Sequence, residues 1–133
     1  MMAANPYQAY QQGAVQTASP GELTLMLYNG CIKFIKLGRA AMQERNIEVK
    51  NTNLIKAQKI IQELMVTLDT QVQVSQQMMV MYDYMNRRLI EANTTNNVSI
   101  LDEVEAYVVE FRDAWKQVIQ VHRQQTYRQG GQV

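Results

Sequence analysis

A single histidine and a single cysteine are the residues on which covalent or acid–base chemistry would have to rest in this chain. Standing alone, His122 could act as a general base or offer one metal ligand, and Cys31 could act as a nucleophile. Neither has the company such chemistry requires. A di-iron bundle core takes paired Glu-x-x-His motifs pointing inward, and the residue three before His122 is Ile119. Zinc needs clustered Cys and His, and covalent haem needs Cys-x-x-Cys-His, so one of each assembles neither. No glycine-rich loop stands between a strand and a helix to cradle nucleotide phosphates. The carboxylates Glu63, Glu91, Asp102, Glu103, Glu105 and Glu110 fall mostly away from the apolar positions, where solvated faces carry charge. The chain is therefore predicted to have no catalytic residue, no metal site and no cofactor.

The elements that carry these residues are helices. The only prolines are Pro6 and Pro20, so the chain from Gly21 onward is free of the strongest helix breaker. Four segments then place apolar residues alternately three and four apart, which lines one helix face and matches no strand pattern. The first opens at Ser19 as N-cap, with Pro20 at the first helical position and Glu22 completing a capping box. Its seam is Leu23, Leu27, Gly30, Phe34, Leu37 and Ala41. A glycine inside such a seam costs about 1 kcal/mol relative to alanine, so Gly30 predicts a large side chain, Trp115 or Tyr82, packed against bare backbone. Cys31 lies in this apolar stretch and reads as a small buried side chain.

Residues 46–51 read as a connection, with Asn51 or Thr52 capping a second helix whose seam is Leu54, Ala57, Ile61, Leu64 and Leu68. Residues 70–75 read as a loop or frayed helix start, because an isolated strand there would have nothing to pair with. Ser75 is the predicted cap of a third helix with the seam Met78, Tyr82, Met85, Leu89 and Ala92, stopped by the polar run 93–97. Ser99 and Asp102 open the fourth, with Leu101, Val104, Val108, Phe111, Trp115, Val118 and His122 as its seam. His122 so placed reads as a bundle-end histidine or as a positive charge favouring the helix C-terminus. Four amphipathic helices with short connections bury their stripes together, and the predicted fold is an all-α antiparallel four-helix bundle over 19–123. Residues 1–18 read as a short helical arm carrying Tyr7 and Tyr10, and residues 124–133 as a flexible tail.

Charge narrows the partners. The 13 Lys and Arg almost balance the 12 Asp and Glu, which leaves no excess to hold a phosphate backbone, so nucleic acid is not an expected partner. No run of apolar residues is long enough to span a membrane, and the first ten residues lack the features of a secretory signal, which predicts a cytoplasmic protein without membrane insertion. What remains is surplus apolar surface. The second helix adds Ile55, Ile60, Met65 and Val66 to its seam, the fourth adds Ile100, Tyr107, Val109 and Ile119, and the third is rich in methionine at 78, 79, 81 and 85. Flexible thioethers suit surfaces that fit an imprecise partner, and a bundle with excess apolar faces and no reactive group reads as a peptide binder.

Against that reading, Thr17-Ala18-Ser19-Pro20-Gly21-Glu22-Leu23 followed by Met26-Leu27-Tyr28-Asn29-Gly30 resembles the opening of the FliS family of flagellin chaperones. Three further blocks fall in the same order and spacing: 56–64 with Leu68-Asp69, 82–93, and Arg112-Asp113-Ala114-Trp115-Lys116. Tyr7-Gln8-Ala9-Tyr10 is similar to the family's arm. One departure is the stretch 71–79, which lacks the glycine-containing turn found before the third helix in many members. The resemblance implies a cytoplasmic helical bundle that binds the C-terminal segment of flagellin, keeps it from polymerising early and hands it to the flagellar type III export gate. It also implies that Tyr7 and Tyr10 act as a displaceable cap over the client groove. Helix-face counting, more than the matching blocks, supplies Ile55, Ile60, Met65 and Tyr107 as groove residues. Two other functions fit the pattern less fully: a self-associating bundle, in which the extra apolar faces pair in a homodimer, and a ligand carrier or enzyme dependent on His122.

Overall fold

The computed structural model describes residues 20–69 and 71–131, with side chains over 21–69 and 71–126. Four helices follow one another: α1 (Pro20–Gln43), α2 (Ile47–Thr67), α3 (Gln73–Thr95) and α4 (Val98–Gly131). Connections of two to five residues force successive helices to run antiparallel. Each packs on its chain neighbour, and α4 returns to pack on α1, closing a ring in which α1 faces α3, and α2 faces α4, across the core. The bundle predicted from the apolar spacing is the fold observed.

The turns explain where sequence boundaries shifted. Arg45 adopts a left-handed φ of 60°, and the amides of Arg45 and Asn46 reach back to the carbonyls of Met42 and Ala41 at 3.2 and 2.8 Å, a Schellman closure of α1. That sharp reversal lets α2 start at Ile47, capped by Asn46, whose Oδ1 accepts from the Val49 amide. The connection expected over 46–51 is therefore helix, because a left-handed arginine carries no sequence signature. Asn96, at φ 53°, closes α3 in the same way, and Asn97 rather than Ser99 caps α4 by accepting from the Ser99 amide at 3.0 Å. The buried Lys50 joins this end of the bundle, its Nζ donating to the Asn93 carbonyl at 2.9 Å and to Asn96 Oδ1 at 2.6 Å. α3 begins at Gln73, and Ser75 is buried within it rather than capping it.

The core holds most of the predicted seams: Leu27 and Ala41 from α1, Leu54, Ala57, Ile61 and Leu64 from α2, Tyr82, Met85, Leu89 and Ala92 from α3, Leu101, Val104 and Val108 from α4. α1 differs in detail, with Leu37 exposed and Tyr28, Cys31 and Ile35 buried instead. A close helix approach occurs eight residues beyond Gly30: a Cβ at Gly38 would lie 2.4 Å from Leu54 Cδ2, a distance real Cβ atoms do not show. Of the two side chains predicted to pack on Gly30, Trp115 meets Gly21 and Tyr82 meets Tyr28. The Tyr28 and Tyr82 hydroxyls are 2.5 Å apart, and Phe111 makes a T-shaped pair with each ring, with centroids at 6.3 and 5.7 Å.

At 34 residues, α4 is ten residues longer than α1. At about 1.5 Å per residue it continues roughly 15 Å farther than α1 does among the described residues. The backbone stays helical from 124 to Gly131, where the polar composition predicts a flexible tail, and the side chains from Gln120 to Thr126 are exposed. Ser19 and the arm with Tyr7 and Tyr10 lie outside the described residues.

Candidate functional site

α4 runs antiparallel along α1, and two cavities open along that seam. Nearer the α1–α2 turn, Arg39 bridges Asp102, 3.0 Å from its Nε, and Glu105, and Lys36 adds a 3.9 Å contact to Glu105. Arg39, Asp102 and Glu105 rim a cavity of about 380 Å³ also lined by Ala106 and Val109. Toward the other end, Gly21 and Thr24 of α1 face Trp115, Val118, Ile119, His122 and Arg123 of α4 around a larger cavity of about 520 Å³. Its lining is mainly aliphatic and aromatic. The Trp115 indole N–H donates to the Gly21 carbonyl at 2.7 Å, and Arg123 pairs with Glu22 across the mouth.

This end of the bundle is apolar because the local sequence leaves it so. Gly21 has no side chain to fill the space beside Ile119, and each residue from Gly21 to Met26 is only half-buried, in contrast to Leu27 and Tyr28 just beyond. Val118 and His122 continue the α4 seam past the point where the other helices close over it, so both are exposed. Such a groove takes up apolar side chains of a partner, preferably from a helix lying along the seam.

The same surroundings carry no sign of bond-making chemistry. Burial pushes the Cys31 thiol up to about 12, and its Sγ points at the Ala57 carbonyl, so the group stays a neutral thiol inside the core. Among the described residues no group of His, Cys, Asp and Glu is arranged to hold a metal, and no helix is long and apolar enough to cross a membrane. The most perturbed carboxylate, Glu103, accepts from Tyr84 Oη at 2.8 Å and Arg88 Nε at 3.0 Å, which together hold it below its usual value. It ties α3 to α4. Arg87 pairs with Asp83, and Arg88 with Glu91 and Glu103.

The residues expected in a groove are dispersed. Ile55 is 43 % exposed on α2, and Met65 lies half-buried against the core on the same helix. Tyr107 packs edge-on against Tyr84, with centroids 6.2 Å apart, on the α3 side of α4. Because α2 and α4 occupy opposite corners of the ring, Ile55 and Met65 share no groove with Tyr107. Ile60 is a correction: at 1 % exposure it is core, because the interhelical space at that level takes both Ile60 and Ile61. Tyr7 and Tyr10 lie outside the described residues. Missed by sequence reasoning were Gly21, Thr24, Val118 and Arg123 as groove lining. The available signal was the Trp115, Val118, Ile119, His122 run, too long for the helix it packs on.

Comparison with known proteins agrees with the fold and locates the family. The sequence profile described as "Flagellar protein FliS" matches residues 3–122. The Bacillus subtilis (strain 168) protein named "Flagellar secretion chaperone FliS" is 58% identical over 127 residues, covering 96% of this chain and 96% of that one. The Escherichia coli (strain K12) protein of the same name is 39% identical over 124 residues, covering 88% of this chain and 91% of its own length. A solved structure described as "Crystal structure of flagellar chaperone from bacteria" superposes with a TM-score of 0.71 over 86% of this chain and 95% of that chain. At 18% identity that likeness speaks to the fold alone.

Proposed function

Because the chain belongs to the FliS family of flagellar secretion chaperones, we propose that it binds the C-terminal segment of flagellin in the cytoplasm, blocks premature polymerisation and keeps the client fit for type III export. The observation that carries this reading is the α1–α4 groove, an apolar trough beside an exposed helix face in a protein whose cysteine is locked in the core and whose histidine stands alone. A polymerising subunit exposes apolar segments that order only in the filament, and covering them with a complementary groove removes them from self-assembly. Ordering a client segment on the groove costs free energy, which limits affinity and allows release at the export gate.

In this reading the chaperone is not an enzyme and needs no cofactor. Client helices lie along the α1–α4 seam, with their apolar side chains against Trp115, Val118 and Ile119. Exposed Ile55 and half-buried Met65 and Tyr107 extend the contact around the bundle for a client long enough to wrap it. The arm with Tyr7 and Tyr10 caps apolar surface until a client displaces it.

The test is isothermal titration of the full chain with a peptide spanning the C-terminal segment of flagellin, with size-exclusion chromatography of the mixture. Saturable one-to-one binding with a large negative heat-capacity change is expected. A stable homodimer that ignores the peptide would instead assign the apolar faces to self-association.

A further inference from the structure

The carboxylate partner of each described cation can be traced, because every acidic side chain of the protein lies between Glu22 and Asp113, all of them described. Lys36 and Arg39 reach carboxylates of α4, and Arg87, Arg88, Arg112 and Arg123 each reach one as well. Lys33 of α1 and Lys56 of α2 reach none among the described residues. Both ammoniums stand instead over one ring, 5.7 and 5.4 Å from the centroid of Phe34. A ring face holds a cation in place without cancelling its charge. The pair therefore concentrates positive charge on the outer side of the α1–α2 seam. Apolar surface lies beside it: Phe34 is half-buried against the core, and Leu37, one turn past Lys33, is 44 % exposed. At about 100° per residue, Leu37 projects roughly 160° away from Arg39, so this face turns away from α4 and from the cavity at Trp115.

We propose that this face is a second docking surface, for a partner protein that presents an acidic amphipathic helix. An apolar side chain of that helix settles on Phe34 and Leu37, while carboxylates three or four residues to either side meet Lys33 and Lys56. Charge complementarity selects this occupant. Anionic lipid and nucleic acid call for longer basic arrays, about four to eight cations for a lipid patch, whereas here two cations flank an apolar centre. Exposed ion pairs contribute little each, so the face steers and selects a partner rather than holding it tightly. Lying on the far side of α1 from the α1–α4 groove, it stays open while that groove is filled. A receptor for the client-loaded chaperone would find it free; that use rests on the chaperone reading, and the docking itself does not.

The full chain, isotopically labelled for NMR, is titrated with a designed helical peptide carrying one leucine with glutamates three and four residues to each side, and with its glutamine counterpart. The glutamate peptide should shift the amides of 33–37 and 56–59, with an affinity that falls as salt is added. The double variant Lys33→Gln, Lys56→Gln should lose at least about fivefold in affinity, and Leu37→Ser should weaken binding too. Lys36→Gln, whose native ammonium faces Glu105 of α4, should change it by less than about twofold. Equal binding of the glutamine peptide, or shifts confined to the α1–α4 groove, would overturn the proposal. Competition by the flagellin peptide would overturn it as well, by merging this face with the client site. Vesicles containing phosphatidylserine that bind through Lys33 and Lys56 where the glutamate peptide does not would assign the face to a lipid surface instead. If the unmodified chain ignores the flagellin peptide yet binds the glutamate peptide as stated, the chaperone reading falls and the docking surface stands.

Discussion

The hydroxyls of Tyr28 and Tyr82 lie 2.5 Å apart in the core, joining α1 to α3, two helices that otherwise face each other only across the bundle. Burial pushes both phenols up from their usual value, so both stay neutral and one donates to the other. Removing one hydroxyl strands its partner in an apolar surround, whereas removing both leaves a closed aromatic cluster with Phe111. Tyr82→Phe should cost about 1–3 kcal/mol, and the double variant with Tyr28→Phe should recover most of it. Urea unfolding of the four species completes the cycle, and strictly additive losses would show that the two hydroxyls do not interact.

Gly38 sets how closely α1 approaches α2. A methyl there would intrude on Leu54, a core side chain at 0 % exposure. Gly38→Ala should destabilise the chain by about 1–3 kcal/mol despite the better helix propensity of alanine. Leu54→Ala, costing about 2–5 kcal/mol by itself, should cost less when Gly38→Ala is already present, because the new methyl occupies part of the vacated space. Thermal unfolding of the pair measures that coupling.

Acid should weaken the α3–α4 seam. The Tyr84 hydroxyl and then the Arg88 guanidinium hold the Glu103 carboxyl below its usual 4.5. A carboxyl depressed in the folded state stabilises it fully above that ordinary value and loses the contribution as pH falls through the folded one. Stability of the native chain should therefore decline below about pH 4.5, and Glu103→Gln should flatten that part of the curve while lowering the plateau at neutral pH. Denaturation midpoints from pH 7 downward decide it, and identical pH slopes would remove Glu103 from the account.

Client binding should follow the groove rather than the outer face of α2. Val118 is half exposed beside Trp115, so Val118→Glu should leave the fold intact while weakening flagellin-peptide affinity at least about tenfold. Ile55→Glu, at a somewhat less exposed site on α2, should weaken it by less than about threefold. The reverse order in titration would move the client's main contact to α2.

Cys31 should stay silent toward alkylating reagents until the bundle opens. Its thiol is fully buried and pushed up to about 12, so the reactive thiolate is scarce even where reagent could enter. Iodoacetamide should label it only as fast as the chain unfolds. Rapid labelling under native conditions would reveal an opening of the core between α1 and α2.

The sequence by itself determined the helices, their antiparallel order and most of the core, since apolar spacing is a one-dimensional signal and connections of a few residues leave the chain no other path. It also pointed to the family, because the motif blocks fall largely on seam positions such as Leu27, Tyr82 and Leu89, where packing restricts residue choice. The tertiary structure alone decided which surplus apolar residues are surface. Helix-face counting gave Ile55 and Ile60 the same standing, yet one is exposed and the other buried, because burial depends on how far each neighbouring helix extends and at what distance it packs. The close approach at Gly38 escaped the seam spacing for the same reason: the register between α1 and α2 is set by a left-handed turn at Arg45 that no residue type announces. The groove exists because α4 outruns α1, a relation between two helices that neither sequence segment contains.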